Sequence, residues 1–156
     1  MNGAVLLSLV LVLVQVALAY VPLGCVKIKN AHWWEWLIKS SDFDSERRHV
    51  AQGIPYQRWH IVKDGEFYWK IKLDTLDEEL YESDKNNNGN YIFTWKPKTD
   101  KGSAAQWNFL RAEGGKFFIK NVKFNHCLMA KGGSWISAYP CNYNDEMFEW
   151  HIDQCG

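Results

Sequence analysis

The segment Asp84-Lys85-Asn86-Asn87-Asn88-Gly89 sets oxygen-bearing side chains at alternate positions, the opening spacing of a calcium-binding EF-hand loop. Such a loop needs a bidentate glutamate at its twelfth position, and that position is Trp95. Asn88-Gly89 between two strand-like runs predicts a hairpin turn instead. The histidines His32, His49, His60, His126 and His151 fall at no zinc spacing. There is no Gly-x-Ser-x-Gly, no Ser/His/Asp set in a catalytic context and no phosphate loop. Asp77-Glu78-Glu79 reads as a solvated hairpin turn. The expectation is a protein that is not an enzyme, with no catalytic residue, no metal and no cofactor. What remains for chemistry is aromatic. The chain carries nine tryptophans, and His32-Trp33-Trp34-Glu35-Trp36-Leu37 holds three of them. Exposed indoles act by contact, as anchors on a partner surface.

The ends and the composition narrow the class. Residues Met1 to Ala19 form an uncharged apolar run ending in Ala17-Leu18-Ala19, which reads as a secretory signal peptide cleaved before Tyr20. The run is short for a membrane span and no basic cluster follows it, so no membrane insertion is expected. Lysine plus arginine number 18, as do aspartate plus glutamate. That balance argues against a general electrostatic grip on nucleic acid or an anionic membrane. Cys25, Cys127, Cys141 and Cys155 remain after cleavage, giving two disulfides in a secreted chain with three possible pairings. There is no Asn-x-Ser/Thr sequon.

The elements that must position these residues are strands. Short runs of Trp, Tyr, Phe, Ile and Val alternate with polar residues and stop at Gly, Asn and Asp. They repeat. Val26-Lys-Ile-Lys-Asn30, Trp69-Lys-Ile-Lys-Leu73 and Phe117-Phe-Ile-Lys-Asn121 align on Ile28, Ile71 and Ile119. Nine residues on stand Leu37, Leu80 and Leu128, and five residues on stand Trp33, Leu76 and Phe124. Each unit closes on a tryptophan with an apolar residue two later: Trp59 with Ile61, Trp107 with Phe109, Trp150 with Ile152. The isoleucines are 43 and 48 residues apart, so three units fill the chain. Trp33, Trp59, Trp69, Trp107 and Trp150 are expected in the core. Trp34, Trp36, Trp95 and Trp135 have no repeat-equivalent core role. Trp34 aligns with Asp77 and Asn125, residues that suit a turn.

Three β-rich units in one small domain predict an all-β fold, a single β-trefoil with three pseudo-repeats and two disulfides. The signal peptide is 1–19 and the trefoil domain 20–156, with repeats at about 26–66, 67–115 and 116–156. Closing a barrel disposes of exposed strand edges. In a trefoil the first and last strands pair, which brings Cys25 to Cys155 and leaves Cys127 with Cys141 as a staple within repeat three. His60 and His151 fall in equivalent places of different repeats and so lie apart.

Cys127-Leu-Met-Ala-Lys-Gly-Gly, Tyr139-Pro-Cys141, the Asn/Asp loop and Trp150-His-Ile152 resemble a ricin-B-type lectin repeat, and Gln57-Arg58-Trp59 is its Gln-x-Trp signature in repeat one. The strings from Val26 to Ser40 and from Phe117 to Ala130 resemble the trefoil lobe of insect haemolymph low-molecular-weight lipoproteins. Size, signal peptide and tryptophan content are similar to the tryptophan-rich salivary proteins of blood-feeding mosquitoes. The lectin resemblance implies a galactose site: an aspartate after Cys-Leu, a stacking aromatic, and an Asn-Gln pair before the tryptophan. In repeat three the polar positions are Met129, Met147 and Phe148, leaving Tyr139 with Asn144 and Asp145. Repeat one has Ile38 in place of the aspartate, and repeat two has Tyr81. The galactose site therefore does not carry over.

The resulting expectation is a secreted, monomeric binding protein of the ricin-B-lectin type, an insect salivary protein engaging an extracellular protein or glycan of the host. Its candidate binding residues are Trp34, Trp36, Trp135, Tyr139, Asn144 and Asp145. Two alternatives accompany it: a lipid-binding or storage protein like the haemolymph lipoproteins, and a trefoil protease inhibitor presenting Lys63 on the Val62-Lys-Asp-Gly-Glu-Phe67 turn.

Overall fold

The computed structural model describes residues 20–96, 100–133 and 135–156. The expected signal peptide at 1–19 lies outside them. Twelve strands follow one another: β1 (Gly24–Asn30), β2 (Trp36–Asp44), β3 (Arg47–Gly53), β4 (Trp59–Asp64), β5 (Tyr68–Leu73), β6 (Glu79–Asn86), β7 (Asn90–Trp95), β8 (Trp107–Arg111), β9 (Phe117–Asn121), β10 (His126–Met129), β11 (Ser137–Pro140) and β12 (Trp150–Gln154). Among the described residues the only helical segments are three 3₁₀ turns, none long or apolar enough to cross a membrane.

Six strands close a ring by antiparallel pairing, in the order β1, β4, β5, β8, β9, β12 and back to β1. The other six form the hairpins β2–β3, β6–β7 and β10–β11. These hairpins touch one another in turn: β7 pairs with β3 and with β11, and a bridge between Ala51 and Trp135 joins the third side. Each repeat thus contributes two ring strands and one hairpin, in the register read from Ile28, Ile71 and Ile119. The first and last strands pair from Val26 opposite Gln154 to Asn30 opposite Trp150. Cys25 joins Cys155 with Cα atoms 5.4 Å apart, and Cys127 joins Cys141 at 5.0 Å.

The core follows the repeat. Ile28, Ile71, Ile119, Leu37, Leu80, Leu128, Trp59, Trp107 and Trp150 are fully buried. A buried indole N–H needs an acceptor. Nε1 of Trp59, Trp107 and Trp150 donates to the carbonyls of Leu37, Leu80 and Leu128, at 2.8, 3.1 and 3.2 Å. The same bond therefore ties a ring strand to its hairpin three times.

Three expectations are corrected. Trp33 is not core: it is 38% exposed, donates Nε1 to the Ala130 carbonyl at 2.8 Å, and lies over Gly132. A Cβ on Gly132 would sit 2.6 Å from the Trp33 ring, so the indole is seated on repeat three rather than inside repeat one. Trp69 is only partly buried, edge-on to Phe109 at the margin of the core. Glu78 and Glu79 are buried, not solvated. Glu78 accepts from Thr94 Oγ1 at 2.6 Å and Arg48 Nε at 3.2 Å, and Glu79 pairs with Lys70 and Lys72, so each carboxylate is matched by its neighbours.

Candidate binding surface

The site begins with one asparagine. Asn30 Oδ1 accepts from the backbone N–H groups of His32 and Trp33, at 3.0 and 3.2 Å, and its Nδ2 donates to the Met147 carbonyl at 2.9 Å. Asn121 makes the equivalent bonds to Lys123, Phe124 and Ala104. Each asparagine shapes a turn whose fourth residue is left-handed: Trp34 at φ 59° and Asn125 at φ 57°. Asparagine tolerates that conformation, whereas a bulky side chain pays on the order of 1–2 kcal/mol. Trp34 nevertheless stands there and is 64% exposed.

Around it the strand pleat assembles a surface. On β1, Val26 and Ile28 point into the core while Lys27 and Lys29 point out. Lys29 faces Trp36 across β1–β2 and His151 across β1–β12. The result is an alternating ladder. Lys27 Nζ lies 4.9 Å from the Tyr56 ring and 5.8 Å from Trp36. Lys29 Nζ lies 4.2 Å from Trp36 and 5.5 Å from Trp34. Trp34 in turn stacks on His151. Sequence reading found Trp34 and Trp36 and missed Tyr56, Lys27, Lys29 and His151. The period-2 alternation of Val26-Lys27-Ile28-Lys29 carries the signal that both lysines share the outer face.

The other four candidates lie elsewhere. Trp135 stacks flat on buried His49, 3.6 Å between centroids and 5° between planes, and meets Tyr91 edge-on. Its Nε1 donates to Asp42 at 2.9 Å. It closes the triangle of hairpins. Burial holds the His49 imidazole below the usual histidine range. Tyr139 donates its hydroxyl to the Asn88 carbonyl and lies on Gly89, where a Cβ would collide with the ring. Asn88 and Gly89 take the positive φ values expected of the turn, 58° and 108°. Asp145 caps the 3₁₀ turn Glu146–Phe148 by accepting from Met147 N–H at 2.9 Å, and the Asn144 N–H donates to Asn142 Oδ1 at 3.1 Å. These residues are not brought together with Trp34 and Trp36. Trp135, Tyr139 and Asp145 are engaged in holding their own parts of the fold, while Asn144 is exposed and is tied through its backbone.

Lys63 folds back onto its own hairpin, donating to the Glu66 carbonyl at 2.8 Å with Nζ 4.2 Å from the Trp69 ring. Gln57 Nε2 reaches the adjacent Arg58 carbonyl at 3.5 Å. Among the described residues the one grouping of three possible metal ligands is Cys25, His60 and Asp74, and the Cys25 sulfur is committed to its disulfide.

A closed six-strand ring, three hairpins and a thrice-repeated tryptophan–leucine bond define a threefold all-β scaffold. No protein-family model matches the chain, and no curated protein matches it. Solved structures do. A salivary protein from the mosquito Culex quinquefasciatus, of the Cysteine and Tryptophan-Rich (CWRC) family, is 40% identical, with 88% of this chain and 97% of that chain covered and a TM-score of 0.81. A second salivary CWRC protein from Culex quinquefasciatus is 24% identical, covering 87% of this chain and 96% of that one, with a TM-score of 0.75. A designed threefold-symmetric protein, ThreeFoil, shares the fold alone: 16% identity, 85% and 99% coverage, TM-score 0.74. The chain belongs to the Cysteine and Tryptophan-Rich family.

Proposed function

We propose that this chain is a β-trefoil of the lectin type, secreted with saliva, that works by binding an extracellular ligand of the host and catalyses nothing. Trp34 and Trp36, with Tyr56 beside them, form the binding surface. Kinship with mosquito salivary proteins and the two disulfides support secretion. One observation carries the assignment of the surface: Trp34 occupies a left-handed backbone position, in solvent, where repeat three has Asn125. A large apolar side chain held at a conformational cost and left largely exposed is explained by contact with a partner. The galactose site of ricin-type lectins is not the basis of this reading, because no repeat carries its full set of polar residues.

The test is a glycan array probed with the oxidised protein and with Trp34→Ala/Trp36→Ala. Binding to a defined sugar class that the double variant loses, with an unchanged circular dichroism spectrum, supports the proposal. Glycan binding that the double variant retains in full overturns it.

A further inference from the structure

We propose that the ligand of this surface is an anionic polysaccharide, whose acidic groups pair with Lys27 and Lys29 while its sugar faces lie against Trp34 and Tyr56. The inference rests on the surface assignment above and adds the ligand class.

The placement of the two lysines makes the argument. The chain is formally neutral, and a group of its cations meets carboxylates: Arg47 and Lys85 with Asp44, Arg48 with Glu78, Lys70 and Lys72 with Glu79, Lys116 with Glu149. Lys63, Lys101, Lys123 and Lys131 lie over aromatic rings one at a time, whereas Lys27 and Lys29 stand side by side on one strand face and share the Trp36 ring. Among the described residues no carboxylate lies within ion-pair distance of either, although Asp153 is the cross-strand neighbour of Lys27. Their ammonium groups rest on aromatic rings, 4.2 Å from Trp36 in the closest case. A ring attracts a cation through its quadrupole but leaves the charge unneutralised. The surface therefore presents two positive charges, partly stripped of water and fixed in place by packed rings.

Their spacing is set by the strand. Side chains two apart on one face stand about 6.6–6.8 Å from one another. The outer face of the ring adds Trp34 and Tyr56, 64% and 47% exposed, at the two ends of the ladder. Alternating cation and flat apolar face suits a chain that alternates anion and pyranose ring. The amphipathic aromatics supply contact area and the ammoniums supply orientation.

The test uses a fluorescent heparin oligosaccharide, titrated with the oxidised protein at rising salt. Wild-type protein is expected to bind at low salt and to lose affinity as salt increases. Lys27→Gln/Lys29→Gln is expected to bind about tenfold more weakly, ~1.4 kcal/mol, with a flatter salt dependence, whereas Lys29→Arg keeps the affinity. Absence of heparin binding at low salt overturns the proposal. So does heparin binding that the Lys27→Gln/Lys29→Gln variant retains unchanged, or equal affinity for single-stranded DNA of matched charge. If the glycan array shows a neutral sugar bound through Trp34 and Trp36 while heparin does not bind, the ligand class is wrong and the surface stands. If Trp34→Ala/Trp36→Ala changes neither, both fail.

Discussion

Trp34 stacks on His151, with ring centroids 5.4 Å apart and planes inclined by 27°. The first residue lies in the opening turn of repeat one and the second on the closing strand of repeat three. They meet because the first and last strands pair, and because His151 stands opposite Lys29 in that pairing. One face of the indole is thereby covered by the protein, and the residue remains 64% exposed. Trp34 stands exposed at the seam where the chain closes on itself, while Phe43, Phe67 and Tyr143 are exposed elsewhere.

The left-handed backbone at Trp34 gives a substitution with opposite effects on stability and binding. Trp34→Asn restores the residue type that repeat three has at Asn125. Relief of the strain is expected to raise stability by ~1 kcal/mol, or about 3 °C in Tm. Binding is expected to fall. Differential scanning calorimetry beside a binding titration checks both signs.

The indole bonds to Leu37, Leu80 and Leu128 predict three equivalent losses. Trp59→Phe, Trp107→Phe and Trp150→Phe each remove a buried donor, leave a carbonyl unmatched and open a small cavity. Each is expected to cost ~2–4 kcal/mol in denaturant unfolding. Trp36→Phe, on the outer face, is expected to cost under ~1 kcal/mol.

The two disulfides close loops of very different length, with separations of 130 and 14 residues. Chain entropy predicts that Cys25→Ser/Cys155→Ser costs ~4–5 kcal/mol and Cys127→Ser/Cys141→Ser ~3 kcal/mol. Urea unfolding of the two double variants orders them.

His49 sets an acid limit on stability. It is 3% exposed, is pressed between Trp135 and Phe93, and has no partner for Nδ1 among the described residues. Burial lowers its folded-state pKa, whereas the unfolded chain titrates near the ordinary value of about 6.5. The unfolded state therefore binds the proton first, and stability falls as pH drops below about 6.5 toward the lowered pKa. His49→Phe keeps the stack and removes that share of the fall. Unfolding midpoints measured between pH 7 and pH 5 decide it.

The repeat was legible because each unit sends the same residue types to one shared core. Ile28, Leu37 and Trp59 enter it from repeat one as their counterparts do from the other two, so sequence spacing alone orders them. The same logic located both disulfides, since strand pairing at the seam follows from the number of units. Side-chain contacts between repeats away from that seam were not legible. Trp33 leaves its own unit to sit on Gly132, Trp135 leaves repeat three to stack on His49, and Tyr139 reaches Asn88. No spacing rule states which neighbour covers a tryptophan. For the same reason Trp34 and Trp36 were found as exceptions to the repeat, while the lysines beneath them were not.

The nine indole N–H groups make the most direct test of the binding surface, because each gives its own NMR signal. The protein is titrated with the strongest-binding glycan of the array. The signals of Trp34 and Trp36 are expected to shift, while those of Trp59, Trp107, Trp150 and Trp135 stay in place. A shift at Trp135 with Trp34 and Trp36 unmoved would contradict the account and put the binding surface on the hairpin face.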